Sequence, residues 1–231
     1  MKPAGKLYIV ATPIGNWGDI TLRALDTLRS VDAVICEELR EGSTLLKRLN
    51  IEPKELITLN EHNEADQAMQ LVIRMHQGES FALISDGGTP VFSDPGAYLI
   101  QRASESGLQV VPVPGASSLM AALSVLDYRL GQFVFGGFLD RDPDRRRQEL
   151  QRLRGLQLPV VLMDTPYRLA ALLADVAKTF GKGQKVTLAM NLTLPDEQIL
   201  RGPVSEVSQQ VGKRKAEFIL IVDVQNPRKR S

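Results

Sequence analysis

The sequence predicts an α/β protein in two lobes, the first on a mostly parallel sheet and the second on a mixed sheet. Three features carry this. Over residues 1–113, five short apolar runs each stop at a polar, proline or glycine cluster, and helical spacing follows most of them, the signature of βα units covered on both faces. Pro112, Pro114 and Gly115 then interrupt the pattern. Over residues 117–231 strands follow one another with less helix between them, which favours antiparallel pairing.

In order, residues 7–11 are β-branched and aromatic and stop at Thr12-Pro13-Ile14-Gly15-Asn16, a strand feeding a turn. Asp19 precedes Leu22, Leu25 and Leu28, the inner stripe of a helix. Residues 31–36 form a second strand ending in Glu37-Glu38-Leu39-Arg40, with a short helix over 44–49. A third strand, 56–59, runs into Asn60-Glu61-His62-Asn63-Glu64, where Asn63 is placed to cap a helix carrying Ala65, Ala68, Met69, Val72 and Met75.

The organising stretch is 81–96. An apolar run ends at Ser85-Asp86-Gly87-Gly88-Thr89-Pro90-Val91, and Asp94-Pro95-Gly96 opens the next helix with Asp94 as its cap. Paired glycines let the backbone turn and let a ligand approach the main chain. In open α/β sheets ligands bind beyond the carboxyl ends of strands, so this loop is the first candidate site. A strand at 109–113 completes the lobe, and Ser117 and Ser118 open the helix that follows.

In the second lobe, strands are expected at 133–138, 159–163, 185–190, 198–201 and 217–224. Pro143 starts a basic helix with Leu150 and Leu153 inward, and Thr165 caps the helix of Leu169, Leu172, Leu173 and Val176. The tail, 226–231, is expected to fray.

Composition narrows the chemistry. The 231 residues are 43% hydrophobic, with no apolar run of membrane-span length, and the start leads into a strand rather than a signal peptide, so a cytoplasmic protein is expected. One cysteine, Cys36, and two histidines, His62 and His76, argue against disulfides and a Cys/His metal centre. Residues 1–113 hold 10 Lys and Arg against 15 Asp and Glu, a net −5, while residues 114–231 hold 18 against 12, a net +6. A polyanionic partner would meet the second half. No phosphate-binding Gly-x-x-x-x-Gly-Lys-Ser/Thr loop and no Gly-x-Gly-x-x-Gly turn is present, which disfavours phosphate-loop and dehydrogenase chemistry.

Several ordered motifs match one family. The stretch 7–21, His62-Asn63-Glu64, Ser85-Asp86-Gly87-Gly88-Thr89-Pro90 with Asp94-Pro95-Gly96, Pro112-Val113-Pro114-Gly115 and Gly136-Gly137-Phe138-Leu139 resemble the bacterial small-subunit ribosomal RNA cytidine 2′-O-ribose methyltransferases of the tetrapyrrole methylase superfamily. The resemblance implies two α/β domains, S-adenosyl-L-methionine in the cleft between them, a homodimer, and small-subunit ribosomal RNA as acceptor. It assigns cofactor contacts to Pro13, Ser85, Asp86, Gly87, Gly88, Pro90, Val91, Ser117, Ser118, Met163, Ala189, Met190, Asn191 and Ala216. Asn16, Glu38, Arg40, His62 and Glu64 are the substrate-side candidates, and Glu38, His62, Glu64 and Asp86 are the groups able to take a proton from a ribose hydroxyl.

The match has departures. Glu37-Glu38-Leu39-Arg40 stands for Glu-Asp-Thr-Arg, Met163-Asp164-Thr165-Pro166-Tyr167-Arg168 for Tyr-Glu-Ser/Ala-x-His-Arg, and Met190-Asn191-Leu192-Thr193-Leu194 for Arg-Glu-Leu-Thr-Lys, losing two cations and a carboxylate. A tetrapyrrole or other small acceptor, or a silent cofactor- or RNA-binding module, therefore stay open. Arg145-Arg146-Arg147, with Arg141, Arg152 and Arg154, is either a track for an RNA backbone or a solvated helix face diluted by acids.

Overall fold

Apolar runs separated by amphipathic helices become layered sheets in the computed structural model, which describes residues 3–92 and 94–224; the tail expected to fray lies outside these. The chain divides into two compact units, Met1–Ser117 and Ser118–Ser231.

In the first unit β1 (Lys6–Val10), α1 (Leu22–Ser30), β2 (Ala33–Cys36), α2 (Leu39–Arg48), β3 (Glu55–Thr58), α3 (Glu64–His76), β4 (Phe81–Leu83), α4 (Ala97–Glu105) and β5 (Gln109–Val113) follow in order. The five strands are all parallel, in the order β3-β2-β4-β1-β5. Alternation along the strands divides the core. Leu7, Ala33, Ile35, Phe81 and Leu83 pack under α3 and α4, while Val10, Val34, Cys36 and Ala82 pack under α1 and α2. Each such fully buried large side chain contributes about 1.5–3 kcal/mol.

In the second unit α5 (Ser118–Ser124), β6 (Val134–Phe138), α6 (Pro143–Gly155), β7 (Val160–Asp164), α7 (Leu169–Phe180), β8 (Lys185–Met190), β9 (Gln198–Pro203), α8 (Val204–Val211) and β10 (Phe218–Val222) build a sheet of order β6-β7-β10-β8-β9. Only β6 and β7 run parallel; the other pairs are antiparallel. Helices α6, α7 and α8 cover one face and α5 packs on the other.

Several local expectations are corrected. Helix α2 starts at Leu39, five residues early, because Gly42 lets its first turn close on the strand end; a Cβ there would lie 2.8 Å from Cys36 Sγ. Leu22 is 80% exposed, and Thr21 caps α1 by accepting from the Ala24 amide at 3.1 Å. The buried stripe of α3 is Ala68, Leu71, Val72 and Met75, with Ala65 and Met69 outside it. The Asn63 side chain does not cap α3: its amide donates to the Thr58 carbonyl and its oxygen accepts from the Asn60 amide, tying the loop instead. Asp94 does not cap α4, which begins after Gly96, and Thr165 makes no side-chain cap. Arg146 is buried within α6 at 7% exposure, with its guanidinium 2.8 Å from buried Asp175, so it does not belong to a solvent-facing basic track. Arg154 donates to the Thr179 carbonyl at 2.9 Å.

Candidate functional site

A parallel sheet brings all its carboxyl ends to one edge, and connectivity decides where that edge opens. The chain leaves β1 for β2 through α1 on one face and leaves β4 for β5 through α4 on the other, although β1 and β4 are neighbours. Their outgoing loops diverge, and that crevice is where open α/β sheets bind ligands.

Thr12 and Gly88 stitch the two loops together. The Thr12 amide donates to the Gly88 carbonyl at 2.9 Å and the Gly88 amide to the Thr12 carbonyl at 3.1 Å. The Thr12 hydroxyl donates to the Ser85 carbonyl at 3.3 Å, and the Thr89 hydroxyl to the Ala116 carbonyl at 3.1 Å, joining the start of the β5 exit. Gly88 has φ +89°, an angle that favours glycine, and a Cβ there would crowd Ile14 Cγ2 at 3.1 Å. Pro13, Ser85, Gly88 and Pro90 are buried, whereas Asp86 and Gly87 face solvent. Among the described residues the amides of Asp86 and Gly87 have no main-chain partner. Main-chain donors beside an acid, free of bulky side chains, fit a ligand carrying hydroxyls and an amine. Val91 adopts φ 73°, an unusual angle for a β-branched residue.

Glu64 holds the far end of this loop. Its Oε1 accepts from the amides of Gly96 and Tyr98 at 2.9 Å each and of Leu99 at 3.4 Å, a carboxylate from α3 capping the positive end of α4. Gly96, at φ +130°, is packed so closely that a Cβ would lie 2.6 Å from Leu83 Cδ2.

The substrate-side candidates share the edge because each follows a parallel strand. Asn16 accepts from the Gly18 amide at 2.9 Å, fixing the turn after β1. Glu38 stands at the start of α2 without a side-chain cap bond, and Arg40 lies in its first turn; both are exposed, as is His62 after β3. Although the residue faces solvent, partial burial of its carboxyl, then the charges of Glu41, Glu38 and Asp94, raise Asp86 above its usual range. Glu37 is raised by burial and then by Asp86, Asp94, Glu38 and Glu61. Burial, with Asp86 and Glu38 behind it, pushes the Cys36 thiol up to about 11, so it is a packing group rather than a nucleophile. No group of three or more metal-ligating side chains occurs among the described residues.

In the second unit Met163, Ala189, Met190, Asn191 and Ala216 meet at one end of the sheet. Ile219 pairs with both Met163 and Ala189, and Phe218 with Met190. Asn191 donates its amide to the Glu217 carbonyl at 2.8 Å, accepts from the Glu217 amide at 3.1 Å and donates its side chain to Asp196 at 2.7 Å. The Thr193 amide donates to Glu197 at 2.7 Å, so the segment that departs from the charged family pattern is tied by neutral hydrogen bonds and two acids. Ala189, Met190 and Ala216 point their side chains into the core, which leaves main chain as what they can offer a ligand. Ser117 ends the first unit and Ser118 begins α5.

Sequence reasoning missed the cap made by Glu64 and the Arg146–Asp175 pair, since both join positions about 30 residues apart that no local pattern links. The bridge at Thr12 and Gly88 had a signal, a threonine before proline facing a glycine pair, but its pairing needed the strand order.

Comparison with known proteins bears on this arrangement. The family described as Tetrapyrrole (Corrin/Porphyrin) Methylases matches residues 6–208. The chain is 40% identical to the ribosomal RNA small subunit methyltransferase I of Xylella fastidiosa, over 96% of this chain and 82% of that protein. It is 37% identical to the protein of the same name from Escherichia coli O157:H7, over 95% and 78% of the two chains. Among solved structures a cobalt precorrin-4 methyltransferase aligns with TM-score 0.67 at 21% identity over 96% of each chain, and a diphthine synthase with 0.69 at 16% over 94% and 88%, which shows the shared fold. With a family match over most of its length and relatives near 40% identity, the chain belongs to the tetrapyrrole methylases and groups there with the small-subunit ribosomal RNA methyltransferases.

Proposed function

We propose that this chain transfers the methyl group of S-adenosyl-L-methionine to a ribose 2′-hydroxyl of small-subunit ribosomal RNA, as a cytoplasmic homodimer. The carrying observation is the loop pair stitched at Thr12 and Gly88, whose exposed Asp86-Gly87 turn stands at the crevice between β4 and β1. Its fit to a donor with an amine, a carboxylate and a ribose agrees with the names of the relatives. No described helix is long and apolar enough to cross a membrane.

The donor supplies an electrophilic methyl carbon, and displacement needs it in line with the acceptor oxygen. The main-chain amides of Asp86 and Gly87, with Pro13, Ser85, Gly88, Pro90 and Val91 shaping the loop, are the proposed donor contacts in the first unit. Ser117, Ser118, Met163, Ala189, Met190, Asn191 and Ala216 are proposed as further contacts. Orientation of this kind supplies several kcal/mol of the barrier. Asn16, Glu38, Arg40, His62 and Glu64 are proposed on the acceptor side. Glu38, His62, Glu64 and Asp86 are proposed as the groups able to accept the hydroxyl proton.

Two measurements test this. Calorimetry with S-adenosyl-L-methionine should show binding, and absence of heat at millimolar donor refutes it. Labelled methyl transfer to small subunits from a strain lacking the family enzyme should give counts resistant to alkali at one ribose; counts on protein or none refute the acceptor. Light scattering at twice the chain mass checks the dimer.

A further inference from the structure

We infer that Tyr167 and Lys215 form a stacking site for one unpaired base of the acceptor RNA, an assignment that rests on the proposed function. Tyr167 lies in the short 3-10 turn Pro166–Arg168 at the carboxyl end of β7, and the residue is 77% exposed. The backbone beneath it is held firmly. Pro166 restricts one torsion, and Arg168 reaches Asp164 Oδ2 at 3.2 Å while donating to the Asp140 carbonyl at 2.8 Å and the Leu139 carbonyl at 3.3 Å. A rigid turn therefore presents a large ring to solvent, and neither apolar cluster of the unit includes it.

The contact the ring makes is with Lys215, whose ammonium sits 4.4 Å from the ring centroid. That cation covers one face and leaves the other for a planar partner. Strand register explains the meeting: Asp164 at the end of β7 pairs with Phe218 at the start of β10, so the segment before β10 lies beside the turn after β7. Lys213, Arg214 and Lys215 are all exposed there, directly before Ala216. An aromatic face bordered by ammonium groups suits a nucleotide whose base is unstacked and whose phosphate meets the lysine. A base within a duplex has no free face for the ring.

The test compares labelled single-stranded RNA with a duplex of the same sequence, by fluorescence anisotropy with the full chain. Tyr167→Ala should weaken single-strand binding about tenfold and leave duplex binding unchanged, with Tyr167→Phe close to the parent. Lys215→Ala should weaken both and lower the salt dependence by about one charge. Donor affinity by calorimetry should be the same in Tyr167→Ala. Single-strand binding by Tyr167→Ala equal to the parent, an equal loss on duplex, or a lost donor affinity each overturns the assignment. If the parent chain neither binds RNA nor transfers methyl to small subunits, the proposed function fails first. If it does both and Tyr167→Ala is undiminished, the stacking site alone fails.

Discussion

The first unit has one strand direction and the second has two, and this difference governs how each brings residues to an edge. In the parallel sheet every loop that leaves a strand lands on the same side, so Asn16, Glu38, His62 and Asp86 gather there by direction alone. In the mixed sheet the corresponding end combines the finishes of β6, β7 and β8 with the starts of β9 and β10, so Met163 and Ala216 meet only through register. Charge follows the same division, acids crowding the first edge and exposed cations flanking the second.

Ion pairs differ as well, and breaking a buried one gives a far larger effect than breaking an exposed one. Arg146→Ala would leave buried Asp175 with only the exposed Lys178, 3.8 Å away, as a cationic partner and should cost about 3 kcal/mol in denaturant unfolding. Gly96→Ala comes next, since its backbone angle is unsuited to alanine and its Cβ would collide with Leu83; a loss of about 2–3 kcal/mol is expected by the same measurement, with weakened donor binding. Glu64→Ala should cost about 1–2 kcal/mol and speed hydrogen exchange at the amides of residues 96, 98 and 99, while Glu64→Gln keeps an acceptor and loses less. Against these, Arg74→Ala removes partly exposed pairs with Glu55 and Glu79 in the first unit and should cost about 1 kcal/mol or less.

The acidic edge makes a prediction with a sign. Asp86 has a folded pKa above its unfolded value, so the folded state binds the proton more tightly and the ionised group disfavours folding at neutral pH. That penalty fades as pH falls through the folded pKa and is gone below the unfolded one. Asp86→Asn should therefore raise the thermal unfolding midpoint slightly at pH 7, with the gain lost once pH falls below the range in which an unperturbed Asp titrates. A gain that persists in acid would mean that it does not come from the Asp86 charge.

How much was legible depends on range. Strand and helix segments could be read because apolar spacing and turn residues act over a few positions, as at Pro143 with Asp142 accepting from the amides of Asp144 and Arg145. Caps were read less well. Asn63, Asp94 and Thr165 have the right chemistry, yet Asn63 found a nearer use in its own loop and the start of α4 took a carboxylate from another helix. Arg146 looked like one of three exposed cations, and only the packing of α7 against α6 put Asp175 beside it.

By itself the sequence determined the alternation of strands and helices, the opposite charge of the two halves and the Ser85–Gly88 turn as a candidate site, since each is written in neighbouring residues. The tertiary structure alone decided that Thr12 clasps Gly88, that Glu64 caps α4 and that Lys215 covers Tyr167. Those contacts join residues separated by about 30 to 80 positions, and a distance of that kind is set by strand order and register rather than by local preference.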